Sequence, residues 1–206
     1  MNEQRQRIYL IRHGEIEGAS EGRLIGRTDV SLSAHGHEQA QKLAEAMADR
    51  QFTAIYSSDL QRARMTAEPI ADRKGLELIQ DSAWRELNVG DWDGRTMKEI
   101  NDESPELVKQ LFADPTSFQY PGGESFPSFI VRIQKSLTDL LAAHANDDIA
   151  LVTHGGVCRT IIGTVLGMPA SHWLRLSQDY CCLNVIDWYD GNPLLRSLNS
   201  LTPTQM

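Results

Sequence analysis

The chain is short of cysteine, of long apolar runs and of positive charge, and each shortage removes a class of protein. Only three cysteines occur in 206 residues, Cys158, Cys181 and Cys182, two of them adjacent. So small and odd a set supports neither a disulfide framework nor a structural zinc site, and it points to a reducing compartment, the cytoplasm. No apolar stretch approaches the roughly 20 residues that cross a bilayer. The polar segment from Met1 to Arg7 leads straight into a strand-like run, so no signal peptide is expected. Lysine and arginine total 20 against 28 acidic residues, a formal net charge of −8. That balance argues against bulk attraction to nucleic acid or an anionic membrane, while saying nothing about a local basic pocket.

Repeats, low-complexity tracts and divisive linkers are also missing, so residues 1–206 read as a single domain with a substantial core. No Gly-x-x-x-x-Gly-Lys-Ser/Thr loop is present to cradle a nucleotide. Nor do carboxylates and histidines cluster as a two-metal site would need, so neither metal nor cofactor is expected.

What the chain does have is alternation of strand-like and helix-like runs, the pattern of parallel strands joined by crossover helices. Strands are expected at Ile8–Ile11, Thr53–Ser57, Leu76–Ile79 and Ile149–Thr153. Ser33 is placed to cap a helix carrying Ala40, Leu43, Ala44 and Met47 at helical spacing. Leu60 to Lys74 reads as a helix kinked at Pro69 and ended by Gly75. Further helices are expected over Met97–Phe112, Glu124–His144 and Val157–Leu166. The alternating Cys182–Tyr189, followed by Asp190-Gly191, signals an antiparallel hairpin edge. The fold class is α/β: a three-layer α/β/α sandwich on a mostly parallel sheet, with a small helical cap over roughly 95–123.

Two strand-like runs end alike. Ile8-Tyr9-Leu10-Ile11 runs into Arg12-His13-Gly14-Glu15, and Ile149-Ala150-Leu151-Val152-Thr153 runs into His154-Gly155-Gly156. In open α/β sheets chemistry gathers beyond the carboxyl ends of the strands, where two such imidazoles could meet. Arg12 adds a planar cationic fork suited to phosphate, and each glycine lets backbone N–H groups approach a ligand. The combination suggests a histidine attacking a phosphoryl group.

Blander readings exist for each residue. A lone strand-end histidine is more often structural, and Arg62 on a helix could be a solvated charge, were it not for Ser57-Ser58-Asp59 before it. Glu86 could be a surface carboxylate in a loop packed by Trp84 and Trp92. His35 and His37 lie two apart on a helix and share no face for a metal; with His144 and His172 they read as solvated.

Leu10 to Glu15, Gly22-Arg23-Leu24-Ile25-Gly26, Leu32 to Gly36, Ser57 to Ala63, Glu86 to Gly94, Pro121 to Ser125 and Thr153 to Gly156, in that order, resemble the histidine phosphatase superfamily. The likeness covers nearly the whole chain and is nearest its phosphoglycerate mutase-like branch, close to broad-specificity and α-ribazole-type phosphatases. It implies His13 as a nucleophile that becomes phosphohistidine and Glu86 as acid and base. Arg12, Arg62, His154 and Gly155 would bind the phosphate, and Arg23 and Gly26 the rest of the substrate. The partner implied is a small phosphorylated metabolite, with homodimerisation left open. Ile16, Ala19 and Val89 replace the polar side chains that a mutase of this family would carry, and the insertion with paired arginines is missing between Gly94 and Pro121. A phosphomonoesterase is therefore expected over a phosphoglycerate mutase or a catalytically silent phospho-ligand-binding protein.

Overall fold

The computed structural model describes residues 5–201; residues 1–4, part of the segment read as lacking a signal peptide, and 202–206 lie outside it. Six strands, β1 (Arg5–Arg12), β2 (Ala54–Ser57), β3 (Leu78–Gln80), β4 (Asp148–Thr153), β5 (Leu183–Tyr189) and β6 (Asn192–Ser200), form one sheet in the order β3-β2-β4-β1-β5-β6. The first four run parallel, β5 lies antiparallel to β1, and β6 closes the edge as the second arm of a hairpin. The mostly parallel sheet with an antiparallel edge is therefore present.

Side chains along a strand alternate between faces, and here both faces are apolar because both are covered. On one face Ile8, Leu10, Ile149 and Leu151 pack against Phe129, Ile133 and Leu137 of α5 (Phe126–Ala143) and Val157 and Ile161 of α6 (Gly155–Val165). On the other, Tyr9, Ile11, Ala150 and Val152 meet Leu43 and Ala44 of α1 (Ala34–Ala46) and Ala63, Ala67 and Ile70 of α2 (Gln61–Lys74). Ser33 caps α1 as expected, its hydroxyl accepting from the Gly36 N–H at 3.0 Å. Gly75 ends α2 in the left-handed conformation, φ 63°. Helix α2 runs on through Pro69 to Lys74.

The structure departs from the sequence reading at several points. The helix expected over Met97–Phe112 is two helices, α3 (Met97–Glu103) and α4 (Pro105–Ala113). Proline disfavours helical dihedrals in the residue before it, and Ser104 sits at φ −139°, ψ 60°. Helix α5 starts at Phe126 behind the Ser125 cap, which leaves Glu124 in the preceding turn. His144, read as solvated, is tied down: Tyr56 Oη lies 2.7 Å from its Nε2 and Asp147 Oδ2 3.1 Å from its Nδ1. Helices α3 and α4 gather around a third apolar cluster of Val89, Trp92, Ile100, Val108 and Phe118. Val89 ties that cluster to the loop carrying Glu86.

Candidate active site

Parallel strands bring their carboxyl ends to one edge of the sheet, and three neighbours deliver charged groups there. In the β1–β4 register Arg12 pairs with Thr153, and the His13 N–H donates to the Thr153 carbonyl at 2.8 Å. His13 and His154 therefore follow side by side, their ring centroids 5.2 Å apart. Strand β2 ends beside β4 with Ser57 opposite Val152, and the next helix begins a turn later, carrying Arg62 inward. Thr66, one turn along α2, binds the two sides together: its hydroxyl accepts from the Gly14 N–H at 2.9 Å and donates to the Arg62 carbonyl at 2.7 Å.

His13 is buried, and its Nδ1 lies 2.7 Å from the Gly14 carbonyl. A carbonyl only accepts, so Nδ1 carries the hydrogen and a neutral ring presents the lone pair of Nε2. Burial, with Arg62 and Arg12 adding repulsion, pushes the His13 pKa well below its ordinary value, which keeps that lone pair available.

His154 has the opposite tautomer. Arg62 Nε–H donates to its Nδ1 at 3.2 Å, so in the neutral ring Nε2 bears the hydrogen. Burial, Arg62, His13 and Arg12 likewise drive the His154 pKa well down. Among the described residues His154 Nε2 and Arg12 Nε are buried polar atoms without a hydrogen-bond partner. Leaving a buried donor unsatisfied costs about 1–3 kcal/mol, more when charged, so their common neighbourhood favours an anion. Arg12 is steadied by stacking its guanidinium 4.1 Å from the Tyr180 ring centroid and by donating to the Gln178 carbonyl at 2.6 Å.

Arg62, 1 % exposed, is aimed by backbone: it donates to the carbonyls of Gly26 at 2.8 Å and Thr28 at 2.9 Å. Asp93 shapes that loop by accepting N–H bonds from Gly26, Arg27 and Thr28. Glu86 lies over the start of α6, its two oxygens accepting from the N–H groups of Leu87 at 2.9 Å and Gly156 at 2.8 Å. A Cβ at position 156 would stand 2.2 Å from a Glu86 oxygen, so only glycine admits this approach. Burial, helped by the nearby Glu86 charge, raises the Tyr120 phenol to about 12, so it remains a neutral hydroxyl.

A buried neutral imidazole with a bare nitrogen, two arginines and an unpaired imidazole N–H can attack phosphorus and hold the oxygens displaced around it. The model of the histidine phosphatase superfamily (branch 1) matches residues 8–201. The chain belongs to this superfamily. It is thus an enzyme of the phosphatase class. A protein named "Probable phosphoglycerate mutase GpmB" from Enterobacter sp. (strain 638) is 35% identical over 190 residues, covering 92% of this chain and 88% of its own. The α-ribazole phosphatase of Shigella flexneri superposes with a TM-score of 0.89 at 30% identity, over 97% of this chain and 99% of its own. A phosphoserine phosphatase from Entamoeba histolytica, solved with phosphoserine, gives 0.86 at 28% identity, over 97% and 100%.

Of the residues that sequence assigned to this histidine phosphatase site, Arg12, His13, Arg62, Glu86, His154, Gly155 and Gly26 converge. Gly155 opens α6 beside Arg12, where a Cβ would lie 3.4 Å from Arg12 Nε. Arg23 is not brought in. Its guanidinium stays on the exposed rim, donating to Glu21, Glu99 and the Gly94 carbonyl. The sequence reading missed Thr66, Asp93, Gln178 and Tyr180, which orient the arginines, and Arg27, whose Nε–H holds the Glu86 carbonyl at 3.0 Å. Of these only Asp93 lies within a motif quoted from the sequence, Glu86 to Gly94.

Proposed function

We propose that the protein hydrolyses the phosphomonoester of a small metabolite through a phosphohistidine on His13. The observation that carries this reading is the pairing of a bare, neutral His13 nitrogen with the buried, unpartnered N–H groups of Arg12 and His154.

His13 Nε2 forms a bond to phosphorus as the bond to the ester oxygen breaks, and Glu86 gives that oxygen its proton, releasing the alcohol. Glu86 then takes a proton from water as its oxygen bonds to phosphorus and the phosphorus–nitrogen bond breaks, returning His13 and inorganic phosphate. In both halves Arg12, Arg62 and the His154 N–H hold the equatorial oxygens, and little else is asked of the protein than in-line positioning and charge. These three groups supply the positive field that a metal ion brings elsewhere, so the reaction needs none. The buried thiols of Cys158 and Cys181, held protonated by their burial, suit a reducing cytoplasm and take no part.

Hydrolysis is favoured over mutase chemistry by what surrounds the phosphate. A mutase must hold a second charged group, and the rim arginines are already engaged: Arg23 with Glu21, Arg85 with Asp59 and Arg95 with Glu103. Ile16 and Val89 are buried and apolar. The mutase reading is kept because of the name that the Enterobacter relative carries.

A panel of phosphomonoesters with EDTA present separates the two: α-ribazole phosphate, phosphoserine, sugar phosphates and 3-phosphoglycerate. Phosphate release without 2,3-bisphosphoglycerate is expected. Efficient interconversion of 2- and 3-phosphoglycerate stimulated by the bisphosphate would overturn the choice of hydrolysis.

A further inference from the structure

The loop that carries Glu86 has little regular structure, only short 3-10 turns at Ser82–Trp84 and Gly90–Trp92. It is wrapped instead around one side chain. Arg132 of α5 sends Nη1 to the carbonyls of Ala83 at 2.7 Å and Arg85 at 2.9 Å. Its Nη2 reaches the Glu86 carbonyl at 3.3 Å and Glu124 Oε1 at 2.8 Å. That same carboxylate accepts from the Asn88 N–H at 2.8 Å and from Arg27 Nη2 at 3.5 Å. Backbone on both sides of Glu86 thus converges on the Arg132 guanidinium and its counter-ion, with Arg27 Nε–H adding a second bond to the Glu86 carbonyl at 3.0 Å.

We propose that Arg132, backed by Glu124, is a positioning residue that fixes the height of the Glu86 carboxyl over the phosphate site. The role rests on Glu86 being the proton donor. Arg132 itself binds carbonyls and Glu124, none of which is a phosphate-binding group, so its effect passes through the Glu86 backbone. A planar fork spans three carbonyls at fixed angles, which the single ammonium of lysine cannot do. Displacing a reacting group by about 1 Å can cost on the order of a hundredfold in rate. Arg132 also lines a solvent-open cavity of about 590 Å³ with Tyr56, Asp81 and Lys135. A guanidinium ion could therefore enter from outside where the side chain is truncated.

The test compares Arg132→Ala, Arg132→Lys and Glu86→Gln in single-turnover phosphorylation of His13 by an alkyl phosphate and by p-nitrophenyl phosphate. An alkoxide needs protonation to leave, whereas nitrophenolate does not. Arg132→Ala should slow the alkyl ester on the order of a hundredfold and the aryl ester far less, with millimolar guanidinium chloride restoring part of the alkyl rate. If Arg132→Ala fails to fold, Arg132→Lys should show the same selective loss to a smaller degree. Equal slowing of both esters by the Arg132 variants, or wild-type rates, would overturn the positioning role while Glu86→Gln still discriminates between esters. Equal slowing by Glu86→Gln would remove the proton donor itself, and the positioning role with it.

Discussion

His154→Ala removes two things whose sizes can be set apart. The first is the unpartnered Nε2–H, a donor aimed where negative charge develops; losing one such donor typically lowers kcat by about 10²–10³, or ~2.7–4 kcal/mol. The second is the acceptor of Arg62 Nε–H, whose loss strands a charged donor in a side chain that is 1 % exposed. That should cost about 1–3 kcal/mol of stability, because Arg62 keeps its bonds to the Gly26 and Thr28 carbonyls. For a chain of this size the melting temperature would fall by roughly 3–10 °C. The assay measures kcat and KM on one phosphomonoester, vanadate inhibition and thermal unfolding together. The expected result is a fall in kcat of about 10²–10³ with weaker vanadate binding and a moderate loss of Tm. A lower Tm with unchanged kcat and unchanged vanadate affinity would refute the assignment, leaving His154 a support for Arg62 only.

Further outcomes concern protonation. Nitrogen-15 NMR of His13 should show a neutral ring with hydrogen on Nδ1 at pH 6.5, since its pKa is depressed below that value; a midpoint at or above 6.5 would contradict the desolvated-nucleophile reading. Because the unfolded histidines take up protons first, His13 and His154 contribute stability above pH about 6.5 that is lost as pH falls through their depressed folded values. Asp187, fully buried on β5, is opposed by desolvation but held below its ordinary pKa by Arg7, Arg196 and Arg5. Its contribution is present above the unfolded value of 3.8 and is lost as pH falls through the folded one. Asp187→Asn should therefore destabilise the protein by about 3 kcal/mol near neutrality in urea unfolding, with the difference from wild type shrinking in acid; a constant difference would count against the ion pair as its source.

Elements announced by local chemistry were legible in sequence. The Ser33 cap, the Gly75 stop and the Asp190-Gly191 hairpin are short-range signals, and each is where it was read. The two His-Gly strand ends were legible as candidates because parallel topology sends both to one edge of the sheet, whereas the strand order that makes β1 and β4 neighbours was not legible. What escaped depends on distant partners. Arg23 and Arg27 are four residues apart in one polar loop, and only the tertiary placement of Glu99 and Glu86 sends the first outward and the second inward. Arg132 reads as any helix-surface arginine until the loop from Ala83 to Asn88 is laid across it. His144 joins Tyr56 only because the end of α5 comes to β2, while Asp147, three residues on, is a local partner. The single helix expected at 97–112 is broken for a local reason, Pro105, which holds Ser104 away from helical dihedrals.

The proposed hydrolysis depends on phosphorylation of His13 during turnover. Rapid acid-free quenching with a phosphorus-32 monoester, followed by peptide mapping, tests it most directly. An acid-labile, alkali-stable phosphoryl group is expected on the peptide containing His13, formed and lost at rates that match turnover and missing from a folded His13→Ala variant. Undiminished hydrolysis by that variant, or turnover with no phosphoenzyme while substrate is saturating and water attack is slow, would contradict it.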